Sequence, residues 1–530
     1  MFDFPTRGVA RSTRGMVASP NALATSAGLE VLRHGGNAID AAITTNAVLT
    51  ATYVPSCGLG GDAFWIIYEP SNGKLHSYNG TGRAPRSASP QALRERGWKK
   101  MPERAPECIT VPGAIRSWDE IGKRHGTKGL DELLEPAERY ARQGFACTDV
   151  VANYFQTNYG WLKERSEAVR IFCANGLPRA GDVIRNPDLA ESLAIIRRGG
   201  ADEFYSGRVG HAIVKKLNEL GVAMTLDDLT SHRTEETTPV VNPWRGHDII
   251  EHPPNSQGAT AAMAMNVLAN DGSRDPITWN HLAIEAIKRA YIERDRFFCD
   301  PHFHDVPLER LLSAEWAQDT RAAIDDARAW FPEETRVDRG DTIYLSVVDQ
   351  DGRCVSLIQS LFMNFGSGYI PEGTGLFLHN RGAYFSLEAG HPNEYIGGKR
   401  PLHTLSPAMV MQGGKPILVF GSMGGDAQPQ TQVQMLHNYF ERGMNIQQAL
   451  DAPRWTYGRG SEKEASTTVH IESRMDPLVR EGLAAKGHRV SVMGPFENQM
   501  GHSNAIAIDH ERGTLAGAGD PRADSAALGL

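Results

Sequence analysis

Apolar and polar positions change period several times along this chain, and each change marks an element. Leu23, Ala27, Leu29, Val31 and Leu32 form an apolar helical face that ends at Gly35-Gly36. Ser19-Pro20 is a start signal, so the pattern predicts a helix from there and a second one from Ala38. The apolar run 64–68 reads as a strand, and Ser71-Asn72-Gly73 as a hairpin turn into a strand at 75–78. From about residue 112 to 330 the pattern is helical, broken by turns such as Pro253-Pro254 and Asp275-Pro276. Strands return at 343–348, 355–359, 408–411 and 417–420, with tight turns at Asp351-Gly352 and Gly413-Gly414. Strand pairs joined by tight turns, in blocks apart from helices, predict an α+β fold: antiparallel sheets with helices on their outer faces.

The sharpest change falls at Thr342. Residues 331–340 are charged and turn-prone. Beyond them Ile343, Leu345 and Val347 alternate with Tyr344, Ser346 and Val348, so a strand should begin at Thr342 with the first set facing inward. Threonine commonly opens strands for packing reasons alone. A cut before Thr342 would give it a second role, because one residue would then hold a hydroxyl nucleophile and a terminal amine to act as its base. A free α-amino group titrates at about 7.7 to 8.0, so part of it is unprotonated near neutrality.

Composition narrows the function classes. The 530 residues carry 55 basic and 63 acidic side chains, a formal charge of −8 without long runs of one sign, which argues against a nucleic-acid partner. No apolar run approaches the length of a membrane span, and the first residues lack a signal-peptide core, so a cytoplasmic location is expected. Cys57, Cys108, Cys147, Cys173, Cys299 and Cys354 have no CxxC spacing and read as reduced buried thiols. His302 and His304 lack a third convergent ligand, and no metal or organic cofactor is expected. Gly58-Leu-Gly-Gly-Asp-Ala63 fits a dinucleotide loop only formally, since a strand follows it. Gly501-His-Ser-Asn-Ala505 is not a serine-hydrolase elbow. Residues 416–436 read as strand, glycine turn and helix. The Gly424-Gly425 turn could aim backbone N–H groups at an oxyanion or simply make a tight connection.

A series of short motifs gives these features a common frame. In order they are GMVASPNALATSAGLEVLRHGGNAIDAAI, GLGGDAFW, VPGAIRSW, MTLDDL, PPNSQG, DTIYLSVVD, FGSGY, KRPLHTLSP, GSMGGD, APRW and DPRAD. By them the chain resembles the γ-glutamyltranspeptidase family of autoprocessed N-terminal-nucleophile hydrolases. That resemblance implies a four-layer αββα sandwich and cleavage between Asp341 and Thr342. Residues 1–341 would form a large subunit and 342–530 a small one, interwoven in one domain as a heterodimer or a dimer of heterodimers. It also implies Thr342 as nucleophile in cleavage and catalysis, Ser360 in place of a supporting threonine hydroxyl, and Gly424 and Gly425 as the oxyanion hole.

Departures from the family bear on the substrate. Thr81 stands where the family has the arginine that holds the γ-glutamyl carboxylate, and Ala383-Tyr384 leaves no acid before Phe385-Ser386. His403-Thr404 replaces paired serines, and Phe362 replaces an asparagine. Asn364 completes the candidate pocket. Arg83 either reaches a substrate carboxylate or clamps its own loop by salt bridges. The segment 387–398 is short for a lid. These changes weaken recognition of a zwitterionic amino acid. They favour a small-molecule amide of another carboxylic acid, such as oxamate or an N-acyl compound. A glutathione hydrolase or γ-glutamyltransferase, and an uncleaved non-catalytic binding protein, stay open.

Overall fold

Asn21, rather than Ser19-Pro20, starts the first helix. Its side chain accepts the N–H groups of Leu23 and Ala24, and the helix runs Ala22–Arg33. Asn37 and Asp40 form a reciprocal capping box at the start of the second helix, Ala38–Thr52. These elements come from a computed structural model that describes residues 7–269, 275–332, 340–458 and 467–530. Most of the linker before Thr342, at 333–339, lies outside the described residues.

Two seven-stranded sheets carry the fold. One contains Met16–Ser19, Asp62–Glu69, Lys74–Gly80, Asp341–Val348 and Cys354–Phe362, with Glu235–Thr237 and Ala526–Gly529 at its edges. The other contains His247–Glu251, Ala408–Gln412, Lys415–Ser422, Ser503–Asp509 and Thr514–Gly519, with Ala10–Ser12 and Val240–Trp244 at its edges. Every pairing within them is antiparallel. Met16, Ile66 and Tyr68 of the first sheet pack with Ile250, Met409, Val419 and Ile506 of the second. The first sheet's opposite face, with Trp65, Ile343 and Leu345, packs on helices that include Ala38–Thr52. The second sheet's outer face, with Val410, Leu418 and Phe420, packs on Ala259–Leu268, Pro276–Phe297 and Ala427–Leu436. The order of layers is helix, sheet, sheet, helix.

That layering corrects two expectations. The strand Asp341–Val348 is buried on both faces, because a sheet with helices on one side and a second sheet on the other has no solvent face. The segment 112–330 is not helical throughout. Glu235–Thr237, Val240–Trp244 and His247–Glu251 are strands that join both sheets. Val240–Trp244 alternates buried and exposed residues, and its Pro243 is tolerated because the strand lies at a sheet edge.

Strands from both sides of Thr342 are neighbours within each sheet, so the segments before and after it share one core. The later motifs serve that core. Arg454 and Arg522 both bind the buried Asp520 carboxylate, and Arg522 also binds Glu472. Two cations hold the Asp520 carboxyl down at about 2 despite its burial. All six cysteines are buried thiols.

Candidate active site

The site lies where the two sheets meet. Thr342 comes from the first sheet, and the turn after Lys415–Ser422 comes from the second. A register shift makes the local geometry: Asp341 pairs with Phe362, but Ile343 pairs with Gln359, so Thr342 faces an extra residue on the neighbouring strand. That bulge turns Ser360 toward Thr342 and leaves Phe362 at φ 78°, a left-handed conformation rare outside glycine.

Ser360 Oγ is the hub. It accepts hydrogen bonds from Thr342 Oγ1 at 3.1 Å, from the Phe362 N–H at 2.7 Å and from Arg381 Nη2 at 3.4 Å. With donors around its lone pairs, its single proton points to the carbonyl oxygen of Asp341, 2.6 Å away. The Asp341 carbonyl is thus polarised by the hydroxyl that also holds Thr342. The Asp341 carboxylate accepts the Thr342 N–H at 3.1 Å. It also faces Tyr53 and Tyr154, whose phenols are pushed well above their ordinary range by burial and by this carboxylate.

Gly424 and Gly425 have φ of 124° and 56°, conformations that strain any L side chain. The helix Ala427–Leu436 follows directly. Gln257 Nε2 fixes the turn by donating to the Gly425 carbonyl at 3.0 Å and to the Thr404 carbonyl at 2.7 Å. Gln257 is itself held by Arg294 at 2.7 Å, and Arg294 also pairs with Asp426, which accepts the Tyr384 hydroxyl at 2.8 Å. In the uncut chain Gly340 fills the space in front of the turn. A Cβ there would lie 2.9 Å from Gly425 Cα and 3.3 Å from both Gly425 N and the Phe362 ring.

The other candidates divide by position. Phe362 and Thr404 stand at the site, joined through Arg381: its Nη1 donates to Thr404 Oγ1 at 2.9 Å and its guanidinium covers the Phe362 ring at 4.2 Å. Thr81 lies in a buried polar cluster, donating to Asn79 at 2.6 Å. Arg83 closes ion pairs with Asp300 at 2.8 Å and Glu235 at 2.9 Å. The Asn364 carbonyl accepts Arg104 at 3.0 Å. His302 Nε2 rests on Glu235 at 3.0 Å. His281, Glu285 and His488 are the one trio among the described residues close enough to share a metal. His281 bonds to His488 and to the Asp325 carbonyl, and Glu285 pairs with Lys288 and Arg289.

His403 turns its Nε2 to Asp62 Oδ2 at 3.1 Å and is held neutral by burial. Asp62 also accepts the N–H groups of Gly82 and Gly113, yet its burial pushes the carboxyl up to about 7. An unfolded aspartate releases its proton near 3.9, so the folded chain binds the extra proton between about pH 4 and 7. Asp62 therefore lowers stability as pH rises through that window and adds no further slope above it. Urea midpoints of Asp62→Asn should fall less steeply than wild type between pH 4.5 and 7. Parallel slopes would remove Asp62 as the cause.

Sequence reasoning missed Arg381, Tyr53, Tyr154 and Asp62. A cation within the otherwise uncharged stretch 376–387 was the available signal for Arg381.

The family profile "Gamma-glutamyltranspeptidase" matches residues 24–530. The "Glutathione hydrolase-like YwrD proenzyme" of Bacillus subtilis is 38% identical, covering 98% of this chain and 99% of its own. The "Oxamate amidohydrolase proenzyme" of Klebsiella pneumoniae is 34% identical over 98% and 99%. A cephalosporin acylase from Bacillus halodurans superposes with a TM-score of 0.93 at 36% identity, covering 100% of this chain and 99% of that one. In sequence and in fold, the chain belongs to the γ-glutamyltranspeptidase family and is an N-terminal-nucleophile hydrolase.

Proposed function

We propose that the chain is cleaved between Asp341 and Thr342, and that the new N-terminal Thr342 hydrolyses the amide of a small carboxylic acid other than γ-glutamate. The contact of Thr342 Oγ1 with Ser360 Oγ, whose proton in turn polarises the Asp341 carbonyl, carries this reading.

In cleavage, Thr342 Oγ attacks the Asp341 carbonyl carbon. The C–N bond breaks, the hydroxyl proton passes to the departing nitrogen, and an ester links Asp341 to Thr342 Oγ. Water hydrolyses that ester, leaving a carboxylate on Asp341 and a free amine on Thr342. In turnover, the amine takes the proton of its own hydroxyl, and the oxygen attacks the substrate amide. N–H groups at Gly424-Gly425 hold the oxyanion of the tetrahedral intermediate, and Ser360 keeps Thr342 aligned. The proton goes to the leaving amine, and water then releases the acid. The products of cleavage are a large subunit, 1–341, and a small subunit, 342–530, paired through the shared sheets.

The substrate side rests on Arg83 being held by Asp300 and Glu235, and on the absence of an acid at 383–384. Relatives named for oxamate hydrolysis and for acylase activity fit the same class. No helix among the described residues is long and apolar enough to cross a membrane. Six buried thiols favour a reducing compartment, and a cytoplasmic location is part of this proposal.

A panel of amides tests it. Processed protein should hydrolyse oxamate or an N-acyl anilide with kcat/KM at least about 100-fold above that for a γ-glutamyl anilide. Fast γ-glutamyl hydrolysis with the other amides untouched would make it a glutathione hydrolase. Stimulation by dipeptide acceptors would then identify transfer.

A further inference from the structure

We propose that a cavity at the far end of the helix Ala427–Leu436 binds a small planar aromatic carboxylate, with Arg442 as its counter-ion. The cavity lies outside the reaction centre and does not depend on how that centre is read.

The helix begins just after the Gly424-Gly425 turn and is ten residues long, so its last residues stand about 15 Å from that turn. There the backbone widens. The Arg442 N–H bonds the His437 carbonyl at 3.0 Å, and 437–441 form a π-helical turn. Such a turn brings Arg442 over His437, whereas a continued α-helix of 3.6 residues per turn would put it about 140° round the axis. Both residues therefore line one cavity of about 660 Å³. The start of Pro276–Phe297 and the hairpin between Val240–Trp244 and His247–Glu251 supply its other walls. That volume is ordinary for a small-molecule site.

The walls are aromatic. The Trp279 and His437 rings stack 15° from parallel with centroids 3.7 Å apart, and Phe440 packs against Trp244 at 5.8 Å and His247 at 4.8 Å. Trp244 and Trp279 are buried, so their rings are fixed before any ligand arrives. Flat, fixed walls of this kind favour a flat ring over a puckered one.

Of the arginines and carboxylates on those walls, one cation is in excess. Arg245, at φ 48° in the hairpin turn, reaches Glu441 at 3.4 Å, and Glu441 also bonds His437 Nδ1 at 2.8 Å. Among the described residues Arg442 has no acid within ion-pair distance, and its Nη1 donates to Asn438 Oδ1 at 3.1 Å. Partial burial holds its guanidinium below the ordinary arginine range. A carboxylate answers both conditions, because a planar guanidinium makes paired, charge-assisted hydrogen bonds to it. One unmatched cation suits a monoanion.

Calorimetric titration of Thr342→Ala tests the site with the reaction centre filled, since Gly340 of an uncut chain occupies the space in front of the glycine turn. The probe is 2-naphthoate. Its controls are the flat alcohol 2-naphthalenemethanol, the puckered anion cyclohexanecarboxylate and inorganic phosphate. 2-Naphthoate should bind at least about 10-fold more tightly than each control, the scale of one hydrogen bond to a charged group. Adding Arg442→Gln should weaken it by at least about 10-fold and leave 2-naphthalenemethanol unchanged, with Arg442→Lys between. Arg442 is exposed at the cavity, so both variants should fold. The proposal is overturned if 2-naphthoate does not bind, if a control matches it, or if Arg442→Gln binds it equally well. Phosphate binding through Arg442 in place of 2-naphthoate would make this an inorganic-anion site and overturn it too. None of these outcomes touches the reading of Thr342, which cleavage and amide turnover decide.

Discussion

Thr342→Ala should remain one chain of 530 residues, while wild type separates into pieces that meet at Asp341 and Thr342. Intact mass of freshly purified protein distinguishes them directly. Amide hydrolysis by the variant should fall by at least about 10⁴-fold, the scale of losing a covalent nucleophile. Alanine removes the hydroxyl that bonds Ser360 but leaves the backbone pairing of the strand, so the variant should fold. Thr342→Ser keeps a hydroxyl and should still be cut. Persistence of an intact wild-type chain, with no amide turnover, would move the protein to the class of uncleaved binding proteins.

Ser360→Ala should produce the second largest effect. It removes the donor to the Asp341 carbonyl and the acceptor for Thr342 Oγ1 together. Loss of one preorganised donor at a developing oxyanion typically slows a reaction by about 10²- to 10³-fold. Precursor should therefore accumulate, and a time course of cleavage followed by mass should show slowing on that scale. Ser360→Thr retains the hydroxyl and should cleave at a rate close to wild type. The contrast separates chemistry from packing, since the larger threonine must fit a site that is already buried. Equal slowing in both variants would mean that Ser360 acts through packing. No slowing in either would take it out of the reaction.

These two residues show how far the sequence could be read. Thr342 was legible because a polar linker meets a buried strand there, and Ser360 and Gly424-Gly425 because short motifs in family order place them. Arg381, Tyr53 and Tyr154 were not legible. Each lies far from Thr342 along the chain or carries no local signature, and only sheet pairing brings them beside it. The strands Val240–Trp244 and His247–Glu251 were missed because helical segments flank them and Pro243 interrupts the first. The strands Ser503–Asp509, Thr514–Gly519 and Ala526–Gly529 were missed too. Ser503–Asp509 and Thr514–Gly519 pair with each other as a hairpin, but the other partners of these three strands lie in Ala10–Ser12, Met16–Ser19 and Lys415–Ser422, out of reach of any local window.

The amino-acid sequence by itself determined most helix and strand blocks up to residue 420, the tight turns and the choice of Thr342 as the candidate nucleophile, because hydrophobic period, turn residues and short motifs act over a few residues. Tertiary structure alone decided what surrounds Thr342. A bulge opposite Thr342 aims Ser360 at the Asp341 carbonyl, and Asp300 with Glu235 holds Arg83 in its own loop. The fold of one sheet on the other sets Arg381 over Phe362, next to Thr404. Such contacts depend on direction and distance between remote segments, which exist only once the sheets have paired.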